Sequence, residues 1–363
     1  MAELAPVRRA LEAGLREGVA PALAATVLRG GERVHGSAHG KAGDRPLAEG
    51  DLFDVASLTK VMATGTIAAR LAAGGALDLA APAGRWLPGF GADKARVTLR
   101  HLLSHSSGLP AWRPFYRPAE CHPECSGMAM EAAIAAEPLQ AAPGERAVYS
   151  DPGFIALGMA LERIAGAPLD VLFEERVARP LSLSRALFLP GRVPRIAAAR
   201  RAEHGFVPTV VRETGEVREA LVHDDNARAL GGVAGHSGLF ASAGDVAALG
   251  QAWLEAWARG SAFLPRDTAR LFAARDAVPG STRALAWDTP SPEGSAIGSR
   301  LGRGPAGAIG HLGFTGCSLW IDLDRAVVCA LLTSHCPRVG EVEAIRAFRR
   351  RFHDAVAEAL GIP

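Results

Sequence analysis

The apolar positions of this chain recur at two periods, and the change from one to the other marks out its elements. Leu4 to Glu17 carries apolar residues at helical spacing with charged residues between them, which predicts an amphipathic helix. Ala22 to Arg29 and Arg33 to His39 have strand character on either side of Gly30-Gly31, a hairpin signal. From Leu58 to Ala73 the period is helical again. Val61, Met62, Ile67 and Leu71 share it, and no charge lies between Lys60 and Arg70, which predicts a helix buried on all sides. The stretch from about Leu77 to Val222 is rich in Pro and Gly and holds short helical patterns. Its clearest helix opens at Asp151-Pro152-Gly153-Phe154, with Pro152 in the first turn and Gly166 after the last. Ser318 to Asp322 and Ala326 to Thr333 form a second hairpin pattern around Leu323-Asp324-Arg325, and a final helix runs from about Glu341 to Leu360. Strands at both ends with helices between predict one sheet built from the two termini around a mostly helical insertion.

Composition narrows the class. A chain of 363 residues can bury a large core, and 48% hydrophobic with 21% charged residues is a globular balance. A net charge of +2 gives no strong pull towards nucleic acid or membrane. The run Arg349-Arg350-Arg351 lies in the last helical pattern and reads as a solvated face. Met1 to Arg9 has no continuous apolar core of a secretion signal, and no stretch reaches the roughly 20 apolar residues of a membrane span, so a cytoplasmic location is expected. Cys121-His122-Pro123-Glu124-Cys125 has no second Cys or His pair at finger-like spacing. Its thiols, like those of Cys317, Cys329 and Cys336, read as free rather than metal-bound.

One lysine stands out against this background. Of 40 Lys and Arg residues only Lys41, Lys60 and Lys94 are lysine. Arg cannot lose its proton and Lys can. Lys60 follows Ser57 by one helical turn, which brings an amine beside a hydroxyl. Ser57 opens the helix, where N–H groups and the dipole stabilise a developing oxyanion. Burial of this helix is expected to lower the lysine pKa towards that of a general base. Tyr149-Ser150-Asp151 adds one of only two tyrosines, a phenol able to shuttle a proton; Asp151 could equally be a helix N-cap. Gly310-His311-Leu312-Gly313-Phe314-Thr315-Gly316 precedes the last hairpin, and its glycines let a strand backbone approach a ligand closely.

Together, Ser57-Leu58-Thr59-Lys60, Tyr149-Ser150-Asp151 and His311-Leu312-Gly313 resemble the serine β-lactamase and penicillin-binding-protein family, in its class C β-lactamase and D-alanyl-D-alanine-peptidase branch. Phe53 to Lys60, His101 to Leu109, Tyr149 to Gly158, Gly235 to Ser242 and Trp320-Ile321-Asp322 extend the resemblance over nearly the whole chain. It implies an α/β sandwich with a central antiparallel sheet, formed by about residues 1–76 and 223–363, and a mainly helical subdomain over about 77–222. The site would lie in the cleft between them. Ser57 would be the acylated nucleophile, Lys60 its base and Tyr149 the partner in proton transfer. Backbone N–H groups of Ser57 and Phe314 would form the oxyanion hole, with His311, Gly313 and Asp151 binding substrate and His236 on the rim. No metal or organic cofactor is implied.

Two positions depart from the family pattern. His311-Leu312-Gly313 stands where the antibiotic-hydrolysing branch has K-T-G, and Leu312 offers no hydrogen bond to a substrate carboxylate. Such a charge-assisted bond contributes about 1.5–3 kcal/mol. Asp151 replaces the Asn of Y-x-N, removing an amide donor and favouring the protonated form of a nearby Lys60. Both argue for a serine hydrolase of esters or amides with weak or no β-lactamase activity. Val222 to His236 resembles family members that cleave the N-acetylmuramoyl–L-alanine amide in muropeptide recycling, so the substrate stays open between small molecules, D-alanyl peptides and muropeptides. A non-catalytic binding module of the same fold is the reading of another class.

Overall fold

The computed structural model describes residues 4–117, 126–210, 215–291, 294–334 and 342–363. Cys121, Cys125 and Cys336 lie outside the described residues. Six strands form the main antiparallel sheet: β1 (Ala22–Arg29), β2 (Glu32–Ala42) and β3 (Arg45–Pro46) from one end, and β9 (Ala308–Leu312), β10 (Ser318–Asp322) and β11 (Val327–Thr333) from the other. Their order is β3-β2-β1-β11-β10-β9, so the sheet does join the two ends of the chain. The seam is the β1–β11 pair, in register from Leu23 opposite Thr333 to Arg29 opposite Val327. The turn at Gly30 and Gly31 takes positive φ at both residues, which glycine adopts without a Cβ clash.

Period-two alternation sends successive side chains of the central strands into two separate cores. Leu23, Ala25 and Val27 of β1 and Val327, Cys329 and Leu331 of β11 face helices α1 (Ala5–Arg16) and α11 (Val342–Ala359), packing with Val7, Leu11, Phe348 and Phe352. Ala22 and Ala24, with Val328, Ala330 and Leu332, face the larger core on the other side. This is why both central strands read as apolar throughout: each is covered on both faces.

Along the sequence, between the strands of the two ends, come α2 (Thr66–Ala73), α3 (Leu99–Leu103), α4 (Ser126–Ala136), α5 (Asp151–Ala165), α6 (Leu169–Phe173), α7 (Pro194–Glu203), α8 (Asp225–Ala229), α9 (Ala243–Arg259) and α10 (Arg266–Ala273). Helix α9 covers the sheet through Val246, Leu249 and Trp253. A small sheet orders β4 (Phe53–Asp54), β8 (Leu239–Ala241) and β5 (Ala186–Phe188) as β4-β8-β5, and β6 (Thr209–Val210) pairs with β7 (Val217–Arg218). Among the described residues, no helix is long and apolar enough to cross a membrane.

The helix expected over Leu58 to Ala73 is not uniform. It opens as a tight turn at Ala56–Leu58, widens to an i→i+5 turn over Lys60–Gly65, and becomes α-helical only at Thr66. The Thr66 hydroxyl donates to the Val61 carbonyl at 2.6 Å, across the wide turn. A Cβ at Gly65 would sit 2.5 Å from Ala286 Cβ and 2.9 Å from the Lys60 carbonyl oxygen, so only glycine fits there. Wide turns of this kind are rare and cluster at functional sites.

Candidate active site

Strand β4 delivers the chain into the turn that carries Ser57. Val55 N–H donates to the Leu239 carbonyl at 3.1 Å, tying the strand exit to β8. Ala56 then takes φ +47°, a left-handed conformation costly for a residue with a Cβ. Two contacts hold it there: its N–H donates to Asp54 Oδ1 at 2.8 Å, and its carbonyl accepts from the Thr59 hydroxyl at 2.6 Å. The result turns Ser57 out to partial exposure while its neighbours on both sides stay buried.

Lys60 is fully buried, and its ammonium nitrogen has three oxygen neighbours: Ser57 Oγ at 3.0 Å, Asp151 Oδ1 at 2.7 Å and the His236 carbonyl at 3.1 Å. The same nitrogen lies 4.8 Å from the centre of the Tyr149 ring. Burial does push the Lys60 pKa down, as expected from the apolar helix, but the Asp151 carboxylate and Tyr149 push it up by more. The net direction is upward, so Lys60 rests as an ammonium. This corrects the expectation of a partly neutral lysine.

Asp151 is free for that contact because it is not the helix cap. Ser150 caps α5, accepting from Gly153 N–H at 3.0 Å and donating to the Pro110 carbonyl at 2.7 Å. Both neighbours of Tyr149 are fastened to His105: Val148 N–H donates to its carbonyl at 2.8 Å and Ser150 N–H to its Nδ1 at 3.0 Å. The His105 ring lies 4.5 Å from that of Tyr149, fixing the phenol from behind. Burial keeps the pKa of the Tyr149 phenol above the ordinary value despite the Lys60 ammonium close by.

Ser57, Tyr149, Asp151, His311, Gly313 and Phe314 line one cavity of about 540 Å³. His311, on β9, is buried with its ring 5.8 Å from Tyr149. Its Nδ1–H donates to the Leu312 carbonyl at 2.9 Å, leaving the lone pair on a buried Nε2 that has no partner among the described residues. Burial and the nearby Lys60 and Arg283 hold the ring neutral, its pKa well below 6.5. Gly313 brings the strand end against β4: a Cβ there would lie 2.6 Å from the Val55 carbonyl oxygen. Leu312 packs towards the α1–α11 core while also bordering the cavity.

His236 is the residue the structure moves. It is not on the rim but buried, with Nε2–H donating to Asp224 Oδ1 at 2.7 Å. Asp224, held by that contact at an acidity well beyond an ordinary carboxyl, is the member of the pair that borders the cavity.

Several contributors escaped the sequence pattern. Arg283 lies over the Tyr149 ring at 5.1 Å. Ser237 Oγ is buried at the cavity wall without a partner among the described residues. Arg349 belongs to no solvated face: it is 5% exposed and donates to the carbonyls of Gly313 at 2.5 Å, Gly316 at 2.9 Å and Cys317 at 2.9 Å. It pins the turn that presents Phe314. Arg351, two residues on, pairs instead with Glu17. The helical periodicity of α11 places position 349 on the apolar stripe with Ile345 and Phe352, the one signal that could have revealed it.

A family model described as Beta-lactamase matches residues 7–352, and the chain belongs to that family, a family of β-lactamase-fold hydrolases. Over 320 residues it is 33% identical to the N-acetylmuramyl-L-alanine amidase of Bacillus subtilis (strain 168), covering 82% of this chain and 71% of that one. Over 324 residues it is 29% identical to a "Putative D-alanyl-D-alanine carboxypeptidase" of Escherichia coli (strain K12), covering 79% and 70%. Among solved structures, EstCE1, described as a hydrolase with promiscuous acyltransferase activity, superposes with a TM-score of 0.74 at 22% identity over 97% of this chain and 98% of its own. The octameric penicillin-binding protein homologue from Pyrococcus abyssi gives 0.73 at 18% over 98% and 77%. These two likenesses concern the fold.

Proposed function

We propose that this protein is a serine hydrolase that works through an acyl-enzyme on Ser57 and acts on amide or ester substrates. The observation that carries the reading is the 3.0 Å contact between Lys60 Nζ and Ser57 Oγ at the wall of a cavity that Tyr149 also lines. In the first step the Ser57 oxygen bonds to the substrate carbonyl carbon, and the carbonyl π pair moves onto oxygen. Backbone N–H groups of Ser57 and Phe314 stabilise that charge. The Ser57 proton passes to the Lys60 amine in the fraction of protein in which Lys60 has lost a proton to solvent, a fraction that the 2.7 Å contact with Asp151 keeps small. The oxyanion then collapses, the bond to the leaving nitrogen or oxygen breaks, and the leaving group takes a proton through Tyr149. Water repeats the sequence on the ester, releasing the acid and restoring Ser57.

His311 and Leu312 line the cavity in place of a lysine-threonine pair, and Leu312 stands where a hydroxyl would serve a β-lactam carboxylate. Weak or absent β-lactamase turnover follows from this reading. The 33% identity to the Bacillus subtilis amidase favours one substrate above the others: an amide joining N-acetylmuramic acid to L-alanine. Turnover of N-acetylmuramoyl peptides, p-nitrophenyl acyl esters, D-alanyl dipeptides and a chromogenic cephalosporin tests this, with Ser57→Ala as control. Amide or ester hydrolysis abolished in Ser57→Ala supports the proposal. Cephalosporin as the fastest substrate would overturn the reading of Leu312.

A further inference from the structure

Three walls of the cavity are fastened to one buried residue that takes no part in the proposed proton transfers. Asp54 is 4% exposed. Its Oδ1 accepts from Ala56 N–H at 2.8 Å, holding the left-handed residue that precedes Ser57. Its Oδ2 accepts from His223 N–H at 2.6 Å, on the segment that brings Asp224 to the cavity. Its backbone carbonyl accepts from the Thr315 hydroxyl at 2.8 Å, next to Phe314. The circle closes outside Asp54, because the His223 and Phe314 rings meet at 5.3 Å. Its own turn and two segments 169 and 261 positions away thus converge on Asp54.

We infer that Asp54 is a positioning residue: its ionised carboxylate sets the Ser57 turn and the His223–Phe314 wall in register for attack and oxyanion binding. The inference rests on the proposal that Ser57 is the nucleophile. Its chemistry is simple. A carboxylate accepts at both oxygens, whereas a carboxylic acid or an amide offers one acceptor and turns a donor against the second N–H. Protonation or amidation therefore releases either Ala56 or His223, and a small displacement of a reacting group is worth about 100-fold in rate. Burial raises the Asp54 pKa to about 6, so the release falls in an accessible range. The charged groups facing it are Asp224 and Arg228, with Cys317 on the turn side. Cys317 stays a thiol there, pushed up to about 11. His223, whose N–H donates to Asp54, adds an imidazole on the other side.

The test is the rate of acylation by a chromogenic ester between pH 5 and 8.5 for the wild type, Asp54→Asn, His223→Gln and Ser57→Ala. The wild-type rate is expected to fall as pH drops through about 6, where Asp54 gains its proton. Asp54→Asn is expected to be about 100-fold slower at pH 8 with little change in KM, and to lack that limb. His223→Gln is expected to keep the limb, which assigns it to Asp54. Asp54→Asn within twofold of wild type at pH 8, or with the limb intact, overturns the inference. Acylation of Ser57→Ala at the wild-type rate would instead remove the nucleophile assignment, so the two failures are distinguishable. Circular dichroism of each variant separates a misplaced turn from a lost fold.

Discussion

Asp151 Oδ1 lies 2.7 Å from the ammonium of Lys60, whose side chain is wholly buried, and that pair decides the charge of the lysine. Two opposing effects meet there. Desolvation favours neutral Lys60, and the carboxylate favours the cation; the carboxylate and Tyr149 together win. A lysine kept charged cannot take a proton until it gives one up, so Asp151 limits the fraction of Lys60 able to act as a base.

Replacing Asp151 by Asn removes that carboxylate and leaves burial of Lys60 opposed mainly by Tyr149. The Lys60 pKa is then expected to fall below its ordinary 10.5, and acylation should rise with pH as that proton is lost. A pH–rate profile of Asp151→Asn identical to that of the wild type would show that Asp151 does not control Lys60.

Tyr149→Phe keeps the ring against His105 and beneath Arg283 but deletes the hydroxyl. Loss of a positioned proton shuttle is expected to lower kcat by about 10²–10⁴-fold with KM little changed. Equal kcat in the variant would reassign proton delivery to Lys60 alone.

Arg349→Met should strip three carbonyls of the Gly313–Cys317 turn of their buried donor. The expected loss is about 3 kcal/mol in urea unfolding, with slower acylation as the turn carrying Phe314 loosens. Arg350→Met, at an exposed neighbour, is the control and should lie within about 0.5 kcal/mol of wild type.

Asp54 also couples stability to pH, in a direction opposite to a salt-bridged carboxylate. Its folded pKa of about 6 lies above the ordinary 3.8, so the folded state holds the proton more tightly than the unfolded chain. Its stabilising contribution is complete below about pH 4 and is lost as pH rises through 6. The unfolding free energy of the wild type relative to Asp54→Asn should therefore fall by about 3 kcal/mol between pH 4 and pH 8. No change in that difference would mean that Asp54 is not strained by ionisation. A group that weakens the fold at neutral pH while holding three walls of a cavity fits a function-for-stability exchange.

The sheet was legible because its strands carry their own signals: Gly30-Gly31 requires positive φ, and β1 and β11 are apolar on both faces. Ser57, Lys60 and Tyr149 each have a commonplace reading alone and stand out only as motifs taken together; the structure places Ser57 and Tyr149 on one cavity wall with Lys60 against Ser57. What escaped depends on contacts across long separations. The sequence holds both influences on Lys60, an apolar helix that favours the amine and Asp151 that favours the cation, but which one wins depends on their contact across 91 positions. Arg349 looked solvated because its neighbours Arg350 and Arg351 are, although its own side of α11 faces the turn after β9. His236 has the same origin of error, since its burial follows from Asp224 twelve positions earlier meeting it. The wide turn at Lys60–Gly65 was hidden because an apolar run satisfies either helical winding.

The central claim is that Ser57 becomes acylated. Intact-protein mass spectrometry after treatment with a fluorophosphonate, followed by peptide mapping, tests it most directly. A single adduct on the peptide containing Ser57, absent in Ser57→Ala and greatly slowed in Lys60→Arg, is the predicted result. An adduct that maps to another residue, or that forms equally on Ser57→Ala, would contradict it.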